Sequence, residues 1–64
     1  MNNEKNNTGR QSTLTEALDE VRQRILDLRA MRGYMVQQGA STVVLEEIDH
    51  LINEALQKQR ELTA

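Results

Sequence analysis

The segment LEEIDHLIN, residues 45–53, gathers five side chains that can do chemistry within nine residues: Glu46, Glu47, Asp49, His50 and Asn53. Helical spacing puts Glu46, Asp49 and Asn53, at i, i+3 and i+7, on one exposed face. Carboxylates and an amide grouped in this way can accept protons and hold a water molecule. The same pattern is also what the solvated side of any amphipathic helix looks like. His50 can shuttle a proton or ligate a metal, but it is the only histidine and there is no cysteine. It therefore reads as a surface residue, and no metal site is expected.

A second group is basic. Arg22, Arg24, Arg29, Arg32 and Tyr34 can form an anion or nucleotide site, and Arg29 and Arg32, one helical turn apart, can converge on one phosphate. Against this, Glu20 precedes Arg24 by four residues and Asp27 follows it by three, so ordinary pairing within a helix accounts for some of these arginines. Met31 and Met35 read as core fillers. No phosphate-binding loop, dinucleotide fingerprint, nucleophile triad or metal motif is present, and no cofactor is expected.

Two helices must position these groups. Leu14, Leu18, Val21, Ile25 and Leu28 recur at alternating spacings of four and three, an amphipathic helical seam. Thr13 and Glu16 carry a capping-box pattern at its start. The seam requires an apolar residue at position 32 and finds Arg32, followed by Gly33. Acids early in this segment (Glu16, Asp19, Glu20) and bases late (Arg29, Arg32) suit a helix that ends at Arg32 with Gly33 just beyond. The rival reading carries the helix through Gly33 to a cap at Gly39, at a cost of about 1 kcal/mol. Val44, Leu45, Ile48, Leu51, Ile52, Ala55 and Leu56 form a wide apolar stripe on a second helix, with Ser41 or Thr42 as its N-cap. The expected fold is an all-α antiparallel two-helix hairpin, with helices over about 13–32 and 42–61.

Size and composition bound the rest. Sixty-four residues make one small domain, with no phenylalanine, tryptophan, proline or cysteine. Residues 1–12, MNNEKNNTGRQS, hold one apolar side chain and are expected to form a disordered tail ahead of a hairpin over 13–62. A net charge of −2 gives no general attraction to nucleic acid or membrane. No apolar run approaches the roughly 20 residues of a membrane span, so a cytoplasmic location is expected. Ordering about 45 residues at roughly 1.5 kcal/mol each leaves a lone hairpin marginal. The stripe on helix 2 is too wide for one neighbour. With Val44, Ile48, Leu51 and Ala55 covering helix 1, Leu45, Ile52 and Leu56 face outward and predict a homodimer, a four-helix bundle.

With helix 1 ending at Gly33, the segments VRQRILDLRAMRGY and VLEEIDHLINEALQKQR resemble the small sporulation-regulatory aspartyl-phosphate phosphatases, which are short two-helix hairpins. Val21, Arg22 and Ile25 match the family's first-helix pattern and Gly33 its turn glycine. Glu47, Ile48 and Asp49 match the last three positions of its Ser-Gln-Glu-Leu-Asp motif, and Leu51, Ile52 and Asn53 match the Leu-Ile-Asn beyond it. Leu45 and Glu46 stand where the family has serine and glutamine, and the loop is about two residues longer. The resemblance covers roughly residues 18–58. It implies a protein that docks on a phosphorylated response regulator and hydrolyses its aspartyl phosphate, restraining sporulation-type signalling. Asp49 and Glu47 are then the catalytic candidates, and Glu46, His50 and Asn53 the partner-binding ones; any metal would belong to the response regulator. The alternative is a non-enzymatic, self-associating helical module that binds or sequesters a protein or a small anionic partner.

Overall fold

The computed structural model describes the backbone of residues 2–64 and the side chains of residues 13–64. Two helices pack against each other as a hairpin: α1, Asn2–Gln37, and α2, Thr42–Thr63. The expectation of a disordered tail over residues 1–12 falls on residues whose side chains lie outside the described ones.

The first helix does not stop at Arg32. It runs through Gly33 to Gln37, longer at both ends than the expected 13–32, and Thr13 lies within it rather than at its start. The C-terminal end has a clear cause. Gly39 takes φ 77°, the left-handed conformation that glycine adopts without steric cost. The Ala40 amide then donates to the Met35 carbonyl at 2.9 Å and the Gly39 amide to the Val36 carbonyl at 3.0 Å. This pair of bonds is a Schellman motif, and it satisfies carbonyls that the end of the helix would otherwise leave open. Gly33, by contrast, sits in ordinary helical backbone, and a Cβ added there would meet nothing within 4 Å.

Charge order favours the wrong glycine because its energy is small. Favourable charges near a helix terminus contribute about 0.3–1 kcal/mol each. Continuing to Gln37 adds a turn of backbone hydrogen bonds and brings Met35 against the core. The last turn of α1 accordingly holds no basic residue. The seam simply skips one position: Val21, Ile25, Leu28, Arg32, Met35 keeps the alternation of four and three, with Arg32 as its single polar member.

The second helix begins where the sequence placed it. Ser41 is the N-cap, with extended backbone (φ −69°, ψ 160°), and its hydroxyl oxygen accepts from the Val44 amide at 3.3 Å. Arg60 lies in the last turn, as the helix dipole favours. Ile48, Ile52 and Ala55, at i, i+4 and i+7, form its buried edge and meet Ile25 and Leu28 of α1. Val21, Met35, Leu51 and Leu56 flank this five-residue core.

This corrects the division of the apolar stripe. Ile52, expected at a dimer interface, is 9% exposed within a single hairpin. Leu45 and Leu56 are half-buried, and Val44, expected to cover α1, is 36% exposed. The spacing i, i+4, i+7 runs through Val44, Ile48 and Leu51 as well as through Ile48, Ile52 and Ala55, so the choice between them is tertiary. Ile25 and Leu28 of α1 meet Ile48, Ile52 and Ala55, which leaves Leu51 at the flank of the core and Val44 largely in solvent.

Candidate functional site

One interhelical polar contact stands out. The Arg32 Nε donates to Asp49 Oδ1 at 2.6 Å, and its Nη2 reaches Asp49 Oδ2 at 3.4 Å. The sequence explains the geometry. Arg32 occupies a seam position, so its stem leaves α1 toward α2 and its guanidinium emerges beside the core. Asp49 follows the buried Ile48 by one residue, about 100° around α2, which brings it to the edge of the interface. Both side chains remain partly open to solvent, at 41% and 47% exposure. A carboxylate has about four acceptor sites, and a guanidinium engaging both oxygens leaves the others available to water or to a partner.

The pair also fixes the register of the antiparallel hairpin. From this level, each step back along α1 is matched by one step forward along α2. Leu28 therefore stands near the level of Ile52 and Asn53, and Val21 near that of Gln59 and Arg60. Leu14 lies at a level beyond the end of α2, which accounts for its exposure.

The other candidate residues divide. Glu46, His50 and Asn53 are exposed on the outer side of α2, as their spacing requires, and they are neighbours of Asp49 along that helix. His50 Nε2 lies 2.8 Å from Glu54 Oε1, a contact one turn along the helix. A shallow groove follows the same side, lined by His50, Asn53, Glu54, Gln57, Lys58 and Glu61. Glu47 is not brought to Asp49. Two residues apart on a helix means about 200° of rotation, so the two candidate catalytic carboxylates diverge and cannot act on one atom.

The basic group does not converge either. Arg32 is held by Asp49, whereas Arg22 and Arg29 line a different groove. Tyr34 is 60% exposed near the turn. Met31, Val36, Val43 and Val44 are likewise exposed toward that end of the hairpin. Among the described residues no group of three or more acidic or histidine side chains is placed to hold a metal ion, and no helix is long and apolar enough to cross a membrane.

In the sequence alone Arg32 reads as a break in the seam or as part of an anion site. The signal that identifies it as a partner of Asp49 was present: a lone charged residue at a seam position, with a return to apolar character three residues later at Met35. The turn glycine assigned from the resemblance moves as well. Gly39 occupies the turn, and Gly33 lies inside α1. No family model, curated protein or solved structure matches the chain.

Proposed function

We propose that the hairpin is a small regulator that docks on a phosphorylated response regulator and promotes hydrolysis of its aspartyl phosphate, with Asp49 as the residue that holds the attacking water. The observation that supports this reading is the Arg32–Asp49 pair. It fixes a carboxylate at the rim of the helix interface, half open to solvent. Hydrolysis of an acyl phosphate asks little covalent chemistry of a helper; it requires a water held in line with the bond being broken. A carboxylate oriented by a second residue meets that requirement better than a freely rotating one. Glu46, His50 and Asn53 surround Asp49 on α2 and form the contact surface in this reading, and Glu47, turned away, has no catalytic part.

The experiment is single-turnover phosphate release from phosphorylated response regulators mixed with the hairpin. Asp49→Ala should abolish acceleration while retaining helicity and complex formation. Acceleration that survives in Asp49→Ala removes Asp49 from the mechanism, and binding without acceleration by the unaltered chain removes the phosphatase activity.

A second reading, a self-associating interaction module without catalysis, is favoured by a separate observation. Met31, Tyr34, Val36, Val43 and Val44 leave apolar surface in water around the turn end of the hairpin. Sedimentation equilibrium distinguishes the readings. A homodimer whose association is lost in Val43→Glu supports the module, and a monomer across the concentration range opposes it.

A further inference from the structure

A second groove runs along the hairpin between the flanks of its two helices, lined by Arg22, Ile25, Leu26, Arg29, Leu56 and Gln59. Its floor is apolar. Ile25 belongs to the core, Leu56 is half-buried against it, and Leu26 stands at the edge with 59% of its surface exposed. The α1 wall carries two guanidiniums seven residues apart, hence on one face and about 10 Å apart along the helix axis. No carboxylate lines the groove, although acids outnumber bases in the chain, with Asp+Glu 10 against Lys+Arg 8. Among the described residues neither Arg22 nor Arg29 is engaged in an ion pair, and the next arginine of α1, Arg32, is taken by Asp49.

We propose that this groove docks an acidic amphipathic helix of a partner protein. An apolar side chain of that helix packs on Leu26 and Leu56, and carboxylates two turns apart on it meet Arg22 and Arg29. The geometry selects a helix because a two-helix chain offers no sheet edge to which an extended segment could add, while a groove between helices accepts a third helix at i, i+3/i+4, i+7 anchors. The charge selects an acidic occupant, and a partner's helix is the one proposed because an α1–α1 contact with a second copy across the groove would set the same two arginines against each other. The outer side of α2 also carries glutamates seven residues apart, Glu47 and Glu54 about Leu51, so self-association of the full chain that is lost in Arg22→Gln/Arg29→Gln overturns the proposal in favour of a second copy. Two arginines on a chain of net charge −2 are also too few for a nucleic-acid or membrane surface. The proposal does not rest on any catalytic role of Asp49.

The test uses the full chain and a fluorescently labelled amphipathic peptide with two glutamates seven residues apart flanking a leucine, beside its glutamine twin. Anisotropy titrations should show the glutamate peptide binding roughly five- to tenfold more tightly than the twin, as expected for two partly exposed ion pairs. The preference should shrink with added salt and vanish in Arg22→Gln/Arg29→Gln, both changes lying at exposed positions. Arg22→Glu/Arg29→Glu should prefer the corresponding lysine peptide. Equal affinity for the glutamate and glutamine peptides overturns the proposal, as does a preference that persists in the double glutamine variant. Arginine-dependent binding to phosphatidylserine vesicles, with no peptide binding, overturns it in favour of a membrane surface. Because the salt dependence is read on the unaltered chain, the proposal stays testable even if a variant loses helicity.

Discussion

Replacing Gly33 and Gly39, one at a time, by alanine should move stability in opposite directions, and the signs test the course of α1. Gly33 lies in helical backbone, and a Cβ placed on it meets nothing within 4 Å, so alanine adds no clash. The gain is the helix propensity difference of about 1 kcal/mol, part of it from the reduced freedom of the unfolded chain. Gly39 has equally open surroundings but a φ of 77°. There, alanine must adopt a left-handed conformation at a cost of roughly 1–2 kcal/mol, and the Schellman hydrogen bonds to Met35 and Val36 depend on that conformation. In a domain of this size about 1 kcal/mol corresponds to roughly 4–8 °C in melting temperature. Thermal melts followed by far-UV circular dichroism, at one fixed protein concentration, should therefore rise for Gly33→Ala and fall for Gly39→Ala. Asparagine at position 39 should fall less than alanine, because its side chain tolerates the left-handed region. A lowered melting temperature for Gly33→Ala, with Gly39→Ala neutral, would place the turn at Gly33 and refute the continuous helix.

The packing sets two further outcomes. A double-mutant cycle on Arg32→Met and Asp49→Asn should give a coupling of about 0.5–1 kcal/mol that falls with salt, since the pair is partly exposed; no coupling would mean that the two side chains do not meet in solution. Ile52→Glu should abolish helicity at every protein concentration, because it puts a charge in the core of a single hairpin; a helical monomer instead would show that Ile52 serves an interface between copies.

The sequence was most informative where one physical effect dominated. The apolar spacing from Val44 to Leu56 allowed only a helix, and the short polar residue before it allowed only a cap, so α2 was legible to within two residues at its end. At Gly33 several effects of about 1 kcal/mol competed: glycine's helix penalty, the charge order, and an arginine at a seam position. The interactions that decided the matter, the Arg32–Asp49 contact together with Met35 on the core, are tertiary and form only when α2 is in place. The same holds for Ile52. Both divisions of a wide stripe are allowed on one helix, and the neighbour selects between them. For the candidate site, the spacing grouped Glu46, Asp49 and Asn53 along one side of α2, whereas pairing Glu47 with Asp49 rested on motif adjacency, which helical rotation undoes.

The held carboxylate and the arginine-lined groove have a geometric relation that makes the two proposals separable and mutually informative. Asp49 and Leu56 are seven residues apart on α2, so they lie on one stripe of that helix. Leu56 lines the groove, and Asp49 pairs with Arg32, the residue three beyond Arg29 on α1. A helix seated on Leu26 and Leu56 would therefore run toward the Arg32–Asp49 pair along the same flank of the hairpin. If the docking partner is also the phosphorylated substrate, neutralising Arg22 and Arg29 should weaken complex formation while leaving the single-turnover rate of the bound complex unchanged. Asp49→Ala should do the reverse. If the groove instead serves a different partner, Arg22→Gln/Arg29→Gln leaves phosphate release unchanged at every concentration while peptide binding is lost. The two sites are then independent, each with a surface of its own on a chain of only two helices.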